Sequence, residues 1–71
     1  MKSRLAQTPH GKQRVIENWQ GLSRLYVKKT NVKTYVAYHS LPGSLDSMVE
    51  INGEYHFGTL KELHVALDAT N

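Results

Sequence analysis

Apolar and polar side chains alternate along the middle of the chain, over Leu22 to Lys28 and again over Lys33 to Ser40. A period of two residues is typical of β-strands that bury one face. The residues between the two runs, Lys29 to Val32, are mostly polar and indicate a turn. The pattern therefore predicts a β-hairpin.

Parity sorts the side chains of this hairpin onto two faces. An even-length loop would set Leu25 opposite Val36 and Val27 opposite Thr34. One face is then apolar and is expected to be buried: Leu25, Val27, Val36 and Tyr38. The other face alternates cations with aromatic rings: Arg24, Tyr26, Lys28, Lys33, Tyr35 and His39.

A second pair of strands, Met48 to Ile51 and Glu54 to Phe57, is predicted around Asn52-Gly53, a dipeptide typical of tight hairpin turns. A two-residue loop would place Ile51 opposite Glu54 and mix apolar with charged groups on each face. A three-residue loop ending in a left-handed glycine sorts the faces better, so we prefer that register. It would gather three residues on one face: Val49, Tyr55 and Phe57.

A capped helix is predicted to follow. Thr59 and Glu62 fit a capping box, in which the Thr59 hydroxyl accepts from the Glu62 amide and the Glu62 carboxylate reaches back to the Thr59 amide. Leu60, Leu63 and Leu67 follow at helical spacing, and their stripe needs an apolar surface to cover it. The predicted fold is α+β: a small antiparallel sheet of three to four strands with a C-terminal helix packed on one face.

The amino-terminal third has a less regular pattern. Residues 1–7 lack apolar periodicity and are expected to form a flexible basic tail. Thr8-Pro9 would cap and open a helix, with Val15, Ile16 and Trp19 on one side of it. Residues 8–21 are therefore expected either to form a short N-terminal helix or to become ordered on a partner. Together with residues 22–71 they would make one small domain.

Composition narrows the class of protein. A chain of 71 residues has room for one domain with a thin core. It contains no cysteine, which excludes disulfides and fits a reducing cytoplasm. No apolar run approaches the roughly 18 residues of a membrane span, and none follows the basic amino terminus as in a signal peptide. We therefore expect a cytoplasmic protein without a membrane partner.

Charge is divided unevenly between the two halves. Residues 1–33 carry eight Lys and Arg against one Glu, a net charge of +7, whereas residues 34–71 carry one Lys against five Asp and Glu, a net charge of −4. Such asymmetry favours an anionic partner for the basic half. The alternative is that the two halves neutralise each other across the folded surface.

The basic and aromatic face of the first hairpin is the candidate binding surface. Ammonium and guanidinium groups can bind phosphates or guanine edges, and tyrosine rings can stack on bases. Glu50 and Glu54 could instead pair with Arg24 or Lys28 on an ordinary solvated face. Trp19 could anchor a partner, although its spacing also suits the core. The candidate residues for nucleic-acid or partner binding are Arg24, Tyr26, Lys28, Lys33, Tyr35, Lys12, Arg14 and Trp19.

The segment from Phe57 to Asp68 resembles the strand end and helix start of βββα DNA-binding modules, the kind found in plant ethylene-response factors and in phage integrase arm-binding domains. In those families a three-stranded sheet reads the major groove of DNA and the helix braces its back. The resemblance implies a reading face made of Arg24, Tyr26, Lys28, Lys33 and Tyr35. Those families usually carry basic and aromatic groups on the third strand as well, where this chain has Glu50 and Glu54.

No enzymatic motif is present. The sequence has no glycine-rich phosphate loop and no nucleophile elbow, and its four histidines lack a metal-ligand spacing. We expect a non-enzymatic protein without cofactor, metal or small-molecule substrate. The favoured function is a nucleic-acid-binding, regulatory module that prefers double-stranded DNA. The alternative is a small, phage-type regulator or inhibitor that binds a protein of the host transcription or replication machinery, such as RNA polymerase.

Overall fold

The computed structural model describes residues 2–70. Within that range, four strands form an antiparallel meander and a helix follows them. The elements are β1 (Arg4–Thr8), β2 (Gly11–Trp19), β3 (Leu22–Asn31), β4 (Thr34–Tyr38), a 3-10 turn (Leu45–Ser47) and α1 (Leu60–Thr70). The predicted α+β class, an antiparallel sheet with a C-terminal helix, is confirmed.

The prediction of a short N-terminal helix is wrong, because β2 occupies that segment and pairs with strands on both sides. Val15 and Ile16 are both fully buried, since both faces of β2 are covered at this point and adjacent strand residues point to opposite sides. Asn18, with a φ of 59°, interrupts the alternation, and Trp19 joins Ile16 in the core cluster. A strand buried on two faces thus produced an apolar pattern that resembles one side of a helix.

The turn between β1 and β2 explains why Thr8-Pro9 does not open a helix. The Thr8 hydroxyl accepts from the His10 amide at 3.1 Å and donates to the Gly11 carbonyl at 2.7 Å. Gly11 has a φ of +92°, a conformation that glycine adopts without strain. The side chain expected to cap a helix therefore closes a hairpin.

The prediction of a flexible tail over residues 1–7 is wrong for residues 4–7, which lie in β1. This strand pairs with β2 from Arg4 opposite Val15 to Thr8 opposite Gly11. Ala6, in the middle of the strand, is buried. Strand pairing and the burial of Ala6 therefore order residues 4–7, which the sequence pattern did not indicate. Residue 1 lies outside the described residues.

The register of β3 with β4 differs from the predicted one. Val27 lies opposite Ala37 because β3 continues to Asn31 before a two-residue turn. Ala37 therefore shares the face of Val27, which carries α1, while Val36 and Tyr38 lie on the opposite face. We call that opposite side of the sheet the open face because α1 does not cover it, although Val15, Val36 and Tyr38 on this side are buried. The prediction that Val36 and Tyr38 share a face with Leu25 and Val27 is therefore wrong, although both side chains are buried.

Residues 48–57 do not form the predicted strand pair and make isolated bridges instead. Ile51 pairs with Glu54 through hydrogen bonds of 2.8 and 3.1 Å, so the loop has two residues and the preferred three-residue register is wrong. Asn52 and Gly53 both have positive φ, as a tight hairpin turn of this twist requires. The segment pairs with β4 at two separate places, Tyr38 with Met48 and Tyr35 with Phe57.

Helix α1 begins where the capping residues predict. The Glu62 amide donates to the Thr59 hydroxyl at 3.1 Å, whereas the Glu62 carboxylate accepts from the Gly58 amide at 3.0 Å and not from Thr59. Leu63 and Leu67 are fully buried against the sheet. The core between helix and sheet is made of Ile16, Trp19, Leu25, Val27, Ala37, Ile51, Phe57, Leu63, Ala66 and Leu67.

Candidate nucleic-acid interface

The sheet divides into two hairpin arms at the end that carries the β1–β2 and β3–β4 turns. Residue pairing between β2 and β3 runs from Trp19 opposite Leu22 to Arg14 opposite Val27 and goes no further. Beyond that point β2 pairs with β1 and β3 pairs with β4. We call this end of the sheet the basic fork, defined by His10 and Lys12 on one arm and by Lys28, Lys29 and Lys33 on the other.

Most cations of the basic fork face solvent and have no neutralising carboxylate among the residues that the structure describes. Lys12, Lys29 and Lys33 are exposed. Within residues 2–70 the ion pairs that the structure shows lie elsewhere, where Glu17 meets Arg4 at 2.7 Å and Arg24 at 3.8 Å. The fork therefore concentrates positive charge that the acidic half of the chain does not balance locally, a condition that attracts anions.

Two of these lysines have their ammonium groups beside aromatic rings. The Lys29 ammonium lies 5.7 Å from the centroid of the Tyr35 ring, and the Lys28 ammonium lies 5.9 Å from that of Tyr38. Both distances suit a cation–π contact. Lys28 also donates to the Pro42 carbonyl. Lys28 is thus held against the protein, whereas Lys29 keeps an exposed ammonium group beside its ring.

The predicted binding face is only partly assembled. Arg24, Tyr26 and Lys28 do share the open face, as alternate residues of β3 must. Tyr35 lies on the other side of the sheet, where it packs against the core, so its place on that face is wrong. Lys33 sits in the β3–β4 turn, and its amide donates to the Asn31 side chain at 3.1 Å.

Glu17 compensates part of the charge of the two arginines near the open face. Arg4 donates a hydrogen bond to Glu17 and, with its charge, holds the pKa of that carboxyl below its usual 4.5, and Arg24 adds to the effect. Glu17, and neither Glu50 nor Glu54, is the carboxylate paired with Arg24. One carboxylate shared by two arginines leaves a net charge of +1, so this cluster should attract phosphate less strongly than the basic fork does.

The side chains of Arg14 and Trp19 make hydrogen bonds within the protein. Arg14 donates to the Ser3 hydroxyl at 3.0 Å, and that hydroxyl lies 3.0 Å from His64 Nε2 on α1. Burial lowers the pKa of His64 below 6.5, and the charge of Arg14 adds to the shift. Trp19 is 3% exposed, and its indole N–H donates to the Leu67 carbonyl at 3.3 Å. It anchors the helix to the sheet and offers no surface for stacking.

Sequence reasoning missed Lys29 and His10. The alternation fades at Lys29 and predicts a turn there, yet β3 continues through it. His10 belongs to a hairpin turn that the predicted helix concealed. The available signal was the Thr-Pro-His-Gly sequence at residues 8–11, since proline and glycine are typical of turns.

A metal site and a membrane-spanning helix find no support in the part of the chain that the structure describes. Residues 2–70 contain no group of three or more His, Asp or Glu side chains placed to hold a metal ion. Across the same residues, no helix has the length and apolar character needed to cross a membrane. No protein-family model matches the chain, and comparisons with curated proteins and with solved structures give no match.

Proposed function

We propose that this chain is a non-enzymatic, cytoplasmic nucleic-acid-binding protein, with double-stranded DNA as the favoured ligand. The observation that carries the proposal is the basic fork, whose exposed lysines lie on two separate hairpin arms and form no ion pair with a carboxylate of residues 2–70. The resemblance to βββα DNA-binding modules points to the same ligand and stays a prediction.

The shape of the fork suits a phosphate backbone. Two arms that part from a common sheet can place Lys12 on one side of a strand of phosphates and Lys29 and Lys33 on the other. Lysine contacts to phosphate give affinity through release of condensed counterions, whatever the base sequence. A two-stranded ribbon is also narrow enough to enter the major groove. The expected result is binding with steep salt dependence and little sequence preference.

A second function, binding to a protein of the transcription or replication machinery, is favoured by one separate observation. Among the strands of residues 2–70, β1 pairs with β2 alone, so the other edge of Arg4–Thr8 has no neighbouring strand. Such an edge can accept an extended segment of a partner as an added strand. This surface lies on β1 and not in the β3–β4 arm, so the two functions make different predictions.

An NMR titration with a short DNA duplex at low salt tests the proposal. We expect the largest amide shifts at Lys12, Lys29 and Lys33, and little change along the outer surface of α1. An absence of shifts at low salt would rule out nucleic-acid binding. Shifts confined to residues 4–8 would place the contact on the β1 edge and would contradict the assignment to the fork.

A further inference from the structure

An open groove of about 370 Å³ lies between the Asn52-Gly53 turn and the outer side of α1. Its apolar lining comes from Phe57, Val65 and Ala66, and Val65 is 61% exposed. Glu54, Glu62 and Lys61 add charged groups around this lining. The groove therefore combines apolar walls with a net negative set of charged side chains.

We propose that this groove binds the β3–β4 turn of a second copy of the chain, with Val32 inserted against the apolar lining. Val32 is 79% exposed in the two-residue turn between β3 and β4, so its side chain is available for contact with a partner. Lys33 follows it and is exposed, and Lys29 lies nearby on the same arm. This inference stands independently of the nucleic-acid proposal.

Charge complementarity identifies the occupant. The groove needs an aliphatic group flanked by cations, and the Val32-Lys33 tip supplies that combination from the same chain. Attraction over a longer range acts in the same direction, because residues 1–33 carry +7 and residues 34–71 carry −4. Two copies that place the basic end of one against the acidic groove of the other reduce this imbalance.

The conformation of the β3–β4 turn is also fixed before it binds. The turn is closed by the hydrogen bond from the Lys33 amide to the Asn31 side chain, and Asn31 pairs with Thr34 across the hairpin. A preformed tip loses little conformational freedom on docking. The contact is nonetheless small, so association is expected to be weak and to depend on concentration and salt.

Each copy offers one tip and one groove, which allows a test by complementation. Val32→Asp disables the tip, and Val65→Arg disables the groove at an exposed helix position where arginine is the better helix former. Sedimentation analysis of the wild-type chain should show a mass that rises above 8.1 kDa with concentration. Each variant alone should associate at least about tenfold more weakly, the effect of losing one buried valine.

The mixture of the two variants gives the decisive result. Val32→Asp retains an intact groove and Val65→Arg retains an intact tip, so an equal mixture should form a complex of one copy of each. Leu45→Asp, which alters another exposed aliphatic residue, is the matched control and should associate like the wild type. Circular dichroism confirms that every variant is folded before its mass is measured.

Three outcomes would overturn the proposal. The first is a wild-type chain that stays monomeric at millimolar concentration, which would leave the groove to a different protein. The second is association that neither variant weakens, since another surface would then join the copies. The third is a mixture of folded variants that remains monomeric while the wild type associates, because the tip and the groove would then not be partners.

Discussion

Removal of the three exposed lysines of the basic fork is the sharpest test of nucleic-acid binding. The variant replaces Lys12, Lys29 and Lys33 with glutamine, which keeps much of the side-chain length and removes the charge. All three side chains are exposed and none takes part in an ion pair with a carboxylate of residues 2–70. Surface changes of this kind usually alter stability by less than about 0.5 kcal/mol each, so the variant should fold.

The expected effect follows from counterion release. Each phosphate neutralised on duplex DNA adds about −0.9 to the slope of log affinity against log salt concentration, so three lysines add about −2.7. Over a fourfold rise in salt, that slope corresponds to a loss of about 40-fold in affinity. The triple variant should lack this component, and its slope should be shallower than that of the wild type by about 2.7.

Fluorescence anisotropy with a labelled duplex, repeated at several salt concentrations, measures the slope directly. The matched control is Lys61→Gln, which changes an exposed lysine on α1 and should leave the slope unchanged. The single variant Lys33→Gln should make the slope shallower by about 0.9. Equal slopes for the wild type and the triple variant would refute the assignment of the fork. So would an equal loss from Lys61→Gln, because only net charge would then matter.

Three further predictions concern the scaffold. Trp19→Phe removes the hydrogen bond to Leu67 and part of a buried ring, and should lower the free energy of unfolding by about 1–3 kcal/mol in chemical denaturation. Thr59→Ala removes the bond accepted from the Glu62 amide and should cost about 1 kcal/mol by the same measurement. His64 has a folded-state pKa below 6.5, so the unfolded chain takes up its proton first as the pH falls. Stability should therefore decrease as the pH falls through about 6.5. Thermal denaturation at a series of pH values measures this decrease as a lower melting temperature, and the decrease should be smaller in His64→Gln.

Each scaffold prediction has a control at an exposed position, of the same residue type for Thr59 and His64 and an aromatic ring for Trp19. Tyr55→Phe changes an exposed ring, Thr30→Ala an exposed threonine and His56→Gln an exposed histidine, and all three should have little effect. A Trp19→Phe protein as stable as the wild type would contradict the anchoring role of the indole. An unchanged pH profile in His64→Gln would mean that other groups cause the loss of stability.

Part of the site was predictable because it depends on neighbours along the chain. Alternate residues of a strand share a face, so Arg24, Tyr26 and Lys28 lie together as the sequence indicated. Lys12 and Lys33 were also among the predicted site residues and lie in the basic fork. The position of Lys29 and the burial of Trp19 required the structure, since each depends on which segments pair.

Local sequence by itself determined the α+β class and the start of the C-terminal helix, because helical spacing and a threonine cap act within a few residues. Only the tertiary structure decided that residues 11–19 form a strand and that the sheet divides into two basic arms. It also decided the register in which β4 pairs with β3. These features depend on contacts between residues far apart in sequence. When a strand is buried on both faces, as β2 is at Val15 and Ile16, its apolar pattern no longer distinguishes it from a helix.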